Sequence, residues 1–214
     1  MCRVTAVLIA LLFASVAYAD TQYYLVDSIA TQASDADVRA EAAGLEKIYA
    51  DLERASGVQA HLLFSTDPAI NALSFELHGE KYVIVQAGVL ALLENDRDAV
   101  AAVLGHELGH HKAGHLRAGQ RKKKAARVVG TILGAIIGAK LGGDDHGAAG
   151  AILGAGAGNV GGNLVALKFN RNQEMEADRL AVGWMIAAGY NPEGMVRVQQ
   201  DLARLEGGSA PATM

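Results

Sequence analysis

His106-Glu107-Leu108-Gly109-His110 is the stretch that decides the reading of this chain. Two histidines four apart on a helix lie on the same face, one turn above the other. One zinc ion takes both imidazole nitrogens at about 2.0–2.1 Å each. Glu107 reaches the same place from another angle, placed to accept a proton from water at the metal rather than to bind the metal. The segment around the motif reads as a helix. Asn95 is the expected N-cap, Asp96 and Asp98 place acids in the first turn, and Ala99, Val100, Val103, Leu104 and Leu108 form an apolar stripe.

A hydrolytic zinc site needs a third protein ligand and an open position. A further glycine and histidine in the pattern His-Glu-x-x-His-x-x-Gly-x-x-His would fall at 113 and 116, which hold Ala113 and Leu116. His111 and His115 form a second i, i+4 pair, on a face rotated by about 100° from the first, and read as surface or helix-end residues. The third ligand is sought downstream. In Asn170 to Asp178 a second helix begins, with Asn170 as N-cap and Gln173 completing a capping box. Glu174 and Asp178 then share one face. One carboxylate is placed to bind the metal and the other to hold a ligand histidine by its remaining N–H.

His-Glu-x-x-His followed by Arg-x-x-Glu-x-x-Ala-Asp (Arg171 to Asp178) resembles the gluzincin zinc metallopeptidase family of HtpX, the CAAX prenyl proteases, the Oma-type proteases and the periplasmic BepA-like proteases. Asn71-Ala72-Leu73-Ser74 resembles the stretch before that family's edge strand, and Tyr82 to Val85 followed by Gly88-Val89-Leu90 resembles its next strand and helix. The resemblance runs from about residue 58 to about 200. It implies that Glu174, not Glu176, is the third ligand beside His106 and His110, with one zinc ion per chain. It implies Glu107 as the catalytic base, Asp178 behind a ligand histidine, and Asn71 and Ala72 in substrate binding. Many members continue into a later His-Pro segment with an arginine, whereas this chain has no histidine after His146.

Residues 1–19 read as a secretory signal peptide: Arg3, an apolar run from Val7 to Phe13, and the small-x-small site Ala17-Tyr18-Ala19. Its removal takes Cys2, the only cysteine. A formal charge of −4 argues against nucleic acid as the main partner. Residues 20–206 are expected to form one metallopeptidase domain, with 207–214 a disordered tail. The fold class expected is α+β: helix-rich, with a small antiparallel sheet and the zinc site between two helices. A helix runs from Asp27 to Ser56, where Gly57 ends it. Strands follow at Ala60–Ser65, Leu73–Leu77 and Tyr82–Gln86, and an edge of the sheet near the zinc could take an extended peptide as an extra strand. His61 and His78 read as strand and turn residues. In the third-ligand helix, Leu180, Trp184 and Ile186 are expected to face inward. Met195, Val198, Leu202 and Leu205 mark the last helix.

Between the two motifs, Lys112, Arg117, Arg121 to Lys124 and Arg127 form a basic run, read either as a solvated helix end or as a contact for anionic lipid. Gly130, Gly134, Gly138 and Gly142, then Gly150, Gly154, Gly158 and Gly162, recur every four residues. These seams suggest a glycine-rich helical hairpin over 128–163, mobile or membrane-adhering; a loop near the active site is the other reading. The expected function is a zinc-dependent endopeptidase of the cell envelope, periplasmic and membrane-associated, acting on misfolded or membrane-associated proteins. The rival is a membrane-associated binding or chaperone-like protein whose zinc site is closed or vestigial.

Overall fold

A computed structural model describes residues 23–77, 79–94, 96–117 and 169–207. The chain enters through β1 (Tyr23–Leu25), then α1 (Val26–Gln32) and α2 (Ala36–Ser56). The expected single helix is therefore two. The break falls where Asp35 turns extended and its carboxylate accepts from the backbone N–H of Asp37 and Val38, which starts a new helix. Gly57 stops α2 as expected, in the left-handed conformation at φ 65°. Next come β2 (His61–Ser65), β3 (Ala72–Leu77), β4 (Glu80–Gln86) and α3 (Ala87–Leu92). α4 (Arg97–Lys112) carries the His-Glu-x-x-His motif, and a 3-10 turn, His115–Arg117, follows it. α5 (Arg171–Ala187) and α6 (Glu193–Gly207) complete the described chain.

The sheet has the order β1-β2-β4-β3. β3 and β4 form the expected antiparallel hairpin, Ala72 opposite Val85 and Leu77 opposite Glu80. The expectation of an all-antiparallel sheet is corrected, because β2 and β4 run parallel, with Leu62 opposite Val83 and Phe64 opposite Val85. The physical reason is burial. Leu62, Leu63, Phe64, Val83, Ile84 and Val85 are all buried, so consecutive residues are covered on both faces, as parallel strands usually are. The hairpin sends the chain out along β3 and back along β4 into the middle of the sheet.

α2 lays Leu45, Ile48, Tyr49 and Leu52 into the same core as Leu104 and Leu108 of α4 and Val83 and Val85 of the sheet. α4 is thus enclosed on most sides, and Ala101, Ala102, Leu104 and Leu108 are fully buried. Its N-cap is Asp96, whose carboxylate accepts from the N–H of Asp98 and Ala99; Asn95, the cap expected, lies outside the described residues. α5 packs alongside, and the inward residues are Ala177, Ala181 and Met185. Leu180 and Trp184 are partly buried, but Ile186 points to solvent, against expectation; Leu205 of α6 is exposed too. On α5 the apolar face is narrower than the apolar residues suggest, since the small Ala177 and Ala181 occupy the contact line.

Among the described residues no helix is long and apolar enough to cross a membrane. Residues 1–19, His78, the proposed hairpin over 128–163 and the tail from 208 lie outside them.

Candidate metal centre

Two glycines on α4 bring α5 against it. A methyl group on Gly109 would lie 2.8 Å from the Cα and 2.9 Å from the carbonyl oxygen of Ala177, and one on Gly105 would lie 3.2 Å from the Cβ of Ala181. Gly105 and Gly109 are four apart, as are Ala177 and Ala181, so two small-residue seams face one another over a full turn. Larger side chains would hold the helices further apart. The separation matters because the motif histidines come from α4 and the acids from α5. The start of α5 is fixed by the expected capping box: Asn170 Oδ1 accepts from Gln173 N–H, and Gln173 Oε1 accepts from Asn170 N–H, each at 3.1 Å. That sets the rotation of α5 and places Glu174 toward α4.

The result is a triangle of donor atoms. His106 Nε2 and His110 Nε2 are 3.0 Å apart, His106 Nε2 and Glu174 Oε2 3.1 Å, and His110 Nε2 and Glu174 Oε2 3.7 Å. Ligands about 2.0–2.1 Å from a tetrahedral zinc are separated by roughly 3.3–3.4 Å, and the three observed edges bracket that value. His106, His110 and Glu174 are the one group of three metal-ligating side chains among the described residues. His110 is sealed, with 1% of its side chain exposed, whereas His106 and Glu174 keep 22% and 40%. The donor set fits a zinc site with one side open.

The surroundings orient the donors. Asp178 Oδ1 lies 2.7 Å from His106 Nδ1, so that nitrogen carries the proton and Nε2 keeps its lone pair for the triangle. Burial alone would lower the His106 pKa, but Asp178, Glu107 and Glu174 together raise it. Phe169 stacks on His110 with ring centroids 3.6 Å apart. Glu107 is buried, and burial pushes its carboxyl above the ordinary range. His106 and Ser74 of β3 oppose that shift, and Glu174 adds to it. The Ser74 hydroxyl lies near enough to favour the carboxylate, without reaching strict hydrogen-bond geometry. Asn71 and Ala72 open β3 and are held by the sheet: the Asn71 carbonyl accepts from Gln86 N–H at 3.1 Å, and Ala72 pairs with Val85.

Two histidines depart from the sequence reading in part: His111 is in the last turn of α4 and His115 just beyond it, at the helix end but not at the surface. Both are buried. The rotated face of α4 that carries His111 meets the sheet, and His111 Nε2 donates to the Tyr82 carbonyl at 3.0 Å, while burial lowers its pKa. His115 is not on α4 at all. The helix ends at Lys112, and Gly114 turns the chain at φ 70°. Gly114 was the available signal, since glycine just past a histidine-rich helix end marks a left-handed stop. Phe169 and Ser74 carried no comparable sequence signal.

No curated protein matches the chain. The model of Peptidase family M48 matches residues 39–211, a span that takes in both α4 and α5 and the whole donor triangle. The pairing of the two motifs in sequence, their convergence on one triangle and this match agree: the chain belongs to peptidase family M48, which holds HtpX, the CAAX proteases and the Oma-type proteases.

Proposed function

We propose that this protein is a zinc-dependent endopeptidase of the cell envelope that cleaves misfolded or membrane-associated proteins. Family membership implies a peptidase, and members of the family depend on zinc. The observation that carries the finer reading is the donor triangle with a buried carboxylate, Glu107, one residue from its first member. His106, His110 and Glu174 would hold the zinc, which when bound polarises a carbonyl and acidifies water. Glu107 accepts the proton from the attacking water on its carboxylate and passes it to the leaving amine. Its burial raises its basicity toward the working pH, which suits both transfers. Asp178 keeps the His106 proton on Nδ1. β3 is an edge strand, and from Ala72 onward its outer side offers backbone groups to an extended substrate, which favours loose sequence preference, while Asn71 spends its N–H on the Ala69 carbonyl and its carbonyl on Gln86 N–H.

The envelope assignment is supported by the apolar run and Ala17-Tyr18-Ala19 in residues 1–19. Contact with anionic lipid is supported by the basic run up to Arg127 and the apolar, glycine-rich stretch that follows. The deciding experiment is cleavage of unfolded casein with and without a chelator, beside Glu107→Gln. Cleavage abolished by both treatments is the expected result. A wild-type protein that binds zinc and cleaves nothing would be the binding or chaperone-like alternative instead.

A further inference from the structure

His115 and Glu176 lie outside the donor triangle, yet the chain folds His115 back onto it. After Gly114 the 3-10 turn carries His115 over His110, where it is 6% exposed. The two Nδ1 atoms are 2.9 Å apart, with the rings inclined at 63°. On its far side, His115 Nε2 is 3.3 Å from Glu176 Oε2.

A hydrogen bond between two neutral imidazole nitrogens needs the proton on one of them. If His115 Nδ1 carried it, His110 would have to carry its own proton on Nε2, which points into the donor triangle and would block a metal. If His110 Nδ1 carries it, the remaining proton of His115 sits on Nε2, facing Glu176. An ionised carboxylate only accepts, so Glu176 selects the second arrangement. We infer that His115 and Glu176 are a positioning pair that fixes His110 as its Nδ1–H tautomer and so presents the Nε2 lone pair to the metal. The inference rests on reading His106, His110 and Glu174 as the ligands.

The three acids of Glu174-Met175-Glu176-Ala177-Asp178 then divide the work. Glu174 belongs to the triangle, Asp178 backs His106 directly, and Glu176 backs His110 through an interposed imidazole. Both ligand histidines end on a carboxylate of the same helix, α5.

The test uses zinc and no substrate. Zinc affinity of the full chain is measured by competition with a chromophoric chelator, and the His110 tautomer is read in the metal-free protein by nitrogen-15 NMR. His115→Phe should weaken zinc binding by about 10–100-fold and lose the Nδ1–H tautomer of His110, as removal of a partner behind a ligand does. His115→Gln, whose carbonyl can still accept from His110 Nδ1, should recover most of the affinity. Glu176→Ala removes a half-exposed side chain, so the fold should persist, and it should shift affinity and tautomer in the same direction by less; Glu176→Gln, still an acceptor, should not. If His115→Phe does not fold, the Glu176 pair decides. Affinity within about twofold of wild type in both His115→Phe and Glu176→Ala, or an unchanged His110 tautomer, would overturn the inference. Equal losses in His115→Phe and His115→Gln would make the role one of packing and overturn it too. A wild type that binds zinc tightly but cleaves nothing would remove the peptidase reading and leave this one standing.

Discussion

His106 Nδ1 lies 2.7 Å from Asp178 Oδ1, a contact between residues 72 apart in the chain. It joins α4 to α5 directly behind the donor triangle and fixes which nitrogen of His106 is free. Asp178→Ala should therefore weaken zinc binding by about 10–100-fold without abolishing it, and Asp178→Asn, which keeps an acceptor oxygen, should lose less. Chelator competition measures both. His106→Ala, His110→Ala and Glu174→Ala should each be purified nearly free of zinc, because two remaining donors do not make a tight site. Metal analysis that finds Glu174→Ala fully loaded would displace Glu174 from the ligand set.

Glu107→Gln should keep about one zinc per chain and lose cleavage by at least 10²–10⁴-fold, the usual range for a general acid–base group. Glutamine fills the same buried space but cannot take a proton. A variant that cleaves unfolded casein at the wild-type rate would exclude Glu107 as the base.

Gly109→Ala should lower the melting temperature and weaken zinc binding together. Alanine improves helix propensity by about 1 kcal/mol, but here its methyl meets the Ala177 backbone at 2.8 Å, and backbone cannot swing aside. Overpacking of this kind costs about 1–3 kcal/mol, so the clash wins. Gly183→Ala, on α5 with nothing within 4 Å of the added methyl, is the control and should gain up to about 1 kcal/mol. Thermal melts of the two variants should move in opposite directions.

What was legible in the sequence follows from what helix spacing encodes. The pairs His106 with His110 and Glu174 with Asp178 are legible because i, i+4 spacing and a capping box state which side chains share a face and where that face begins; that Glu174 is the member of the triangle, and Glu107 the base, is what the family resemblance implies. The direction of strand pairing was not legible, because alternation shows which residues are buried, not which strand lies beside which. Even so, Leu62-Leu63-Phe64 and Val83-Ile84-Val85 are unbroken apolar runs, and such runs suit a covered parallel pair better than a half-solvated antiparallel one. The burial of His111 was hidden because a helical wheel says which residues face apart, not what each face meets. An i, i+4 pair of His111 and His115 needs α4 to run on through Gly114, where the chain leaves the helix at φ 70°.

Asp51 ties α2 to the turn before α6, since Tyr190 Oη donates to Asp51 Oδ2 at 3.0 Å. Lys47 lies on the same oxygen at 2.8 Å. The bond from Lys47 outweighs burial and, with Tyr190 and Arg54, lowers the Asp51 pKa from 3.8 to about 2. A carboxylate whose pKa is depressed by folding stabilises the fold fully above its unfolded value and loses that contribution as pH falls toward the folded one. Asp51→Asn should thus destabilise the protein at pH 6, and the gap from wild type should close between about pH 4 and pH 2. Chemical denaturation across that range is the check. A gap that does not change with pH would assign the loss to packing.

Deleting 128–163 with a linker long enough to keep both motifs in reach should reduce sedimentation with anionic liposomes while zinc is retained. Each basic residue near an anionic surface is worth about 1 kcal/mol, and the apolar stretch would add to it. A zinc-loaded deletion variant that sediments like the wild type would remove the membrane role.

The seam of Gly105 and Gly109 against Ala177 and Ala181 also bears on when the enzyme becomes dangerous. Among the described residues, those up to Lys112 supply two imidazoles and the proposed base, but no carboxylate of the donor triangle. The third donor arrives only when a helix made much later docks against the first. A growing chain, or a copy clipped between the two helices whose pieces have parted, therefore carries the bait without the blade. Since zinc binding then draws on the same free energy as docking, the metal rewards only the finished fold. On the proposed reading of unfolded proteins as clients, the chain is in this way unarmed until it no longer resembles them.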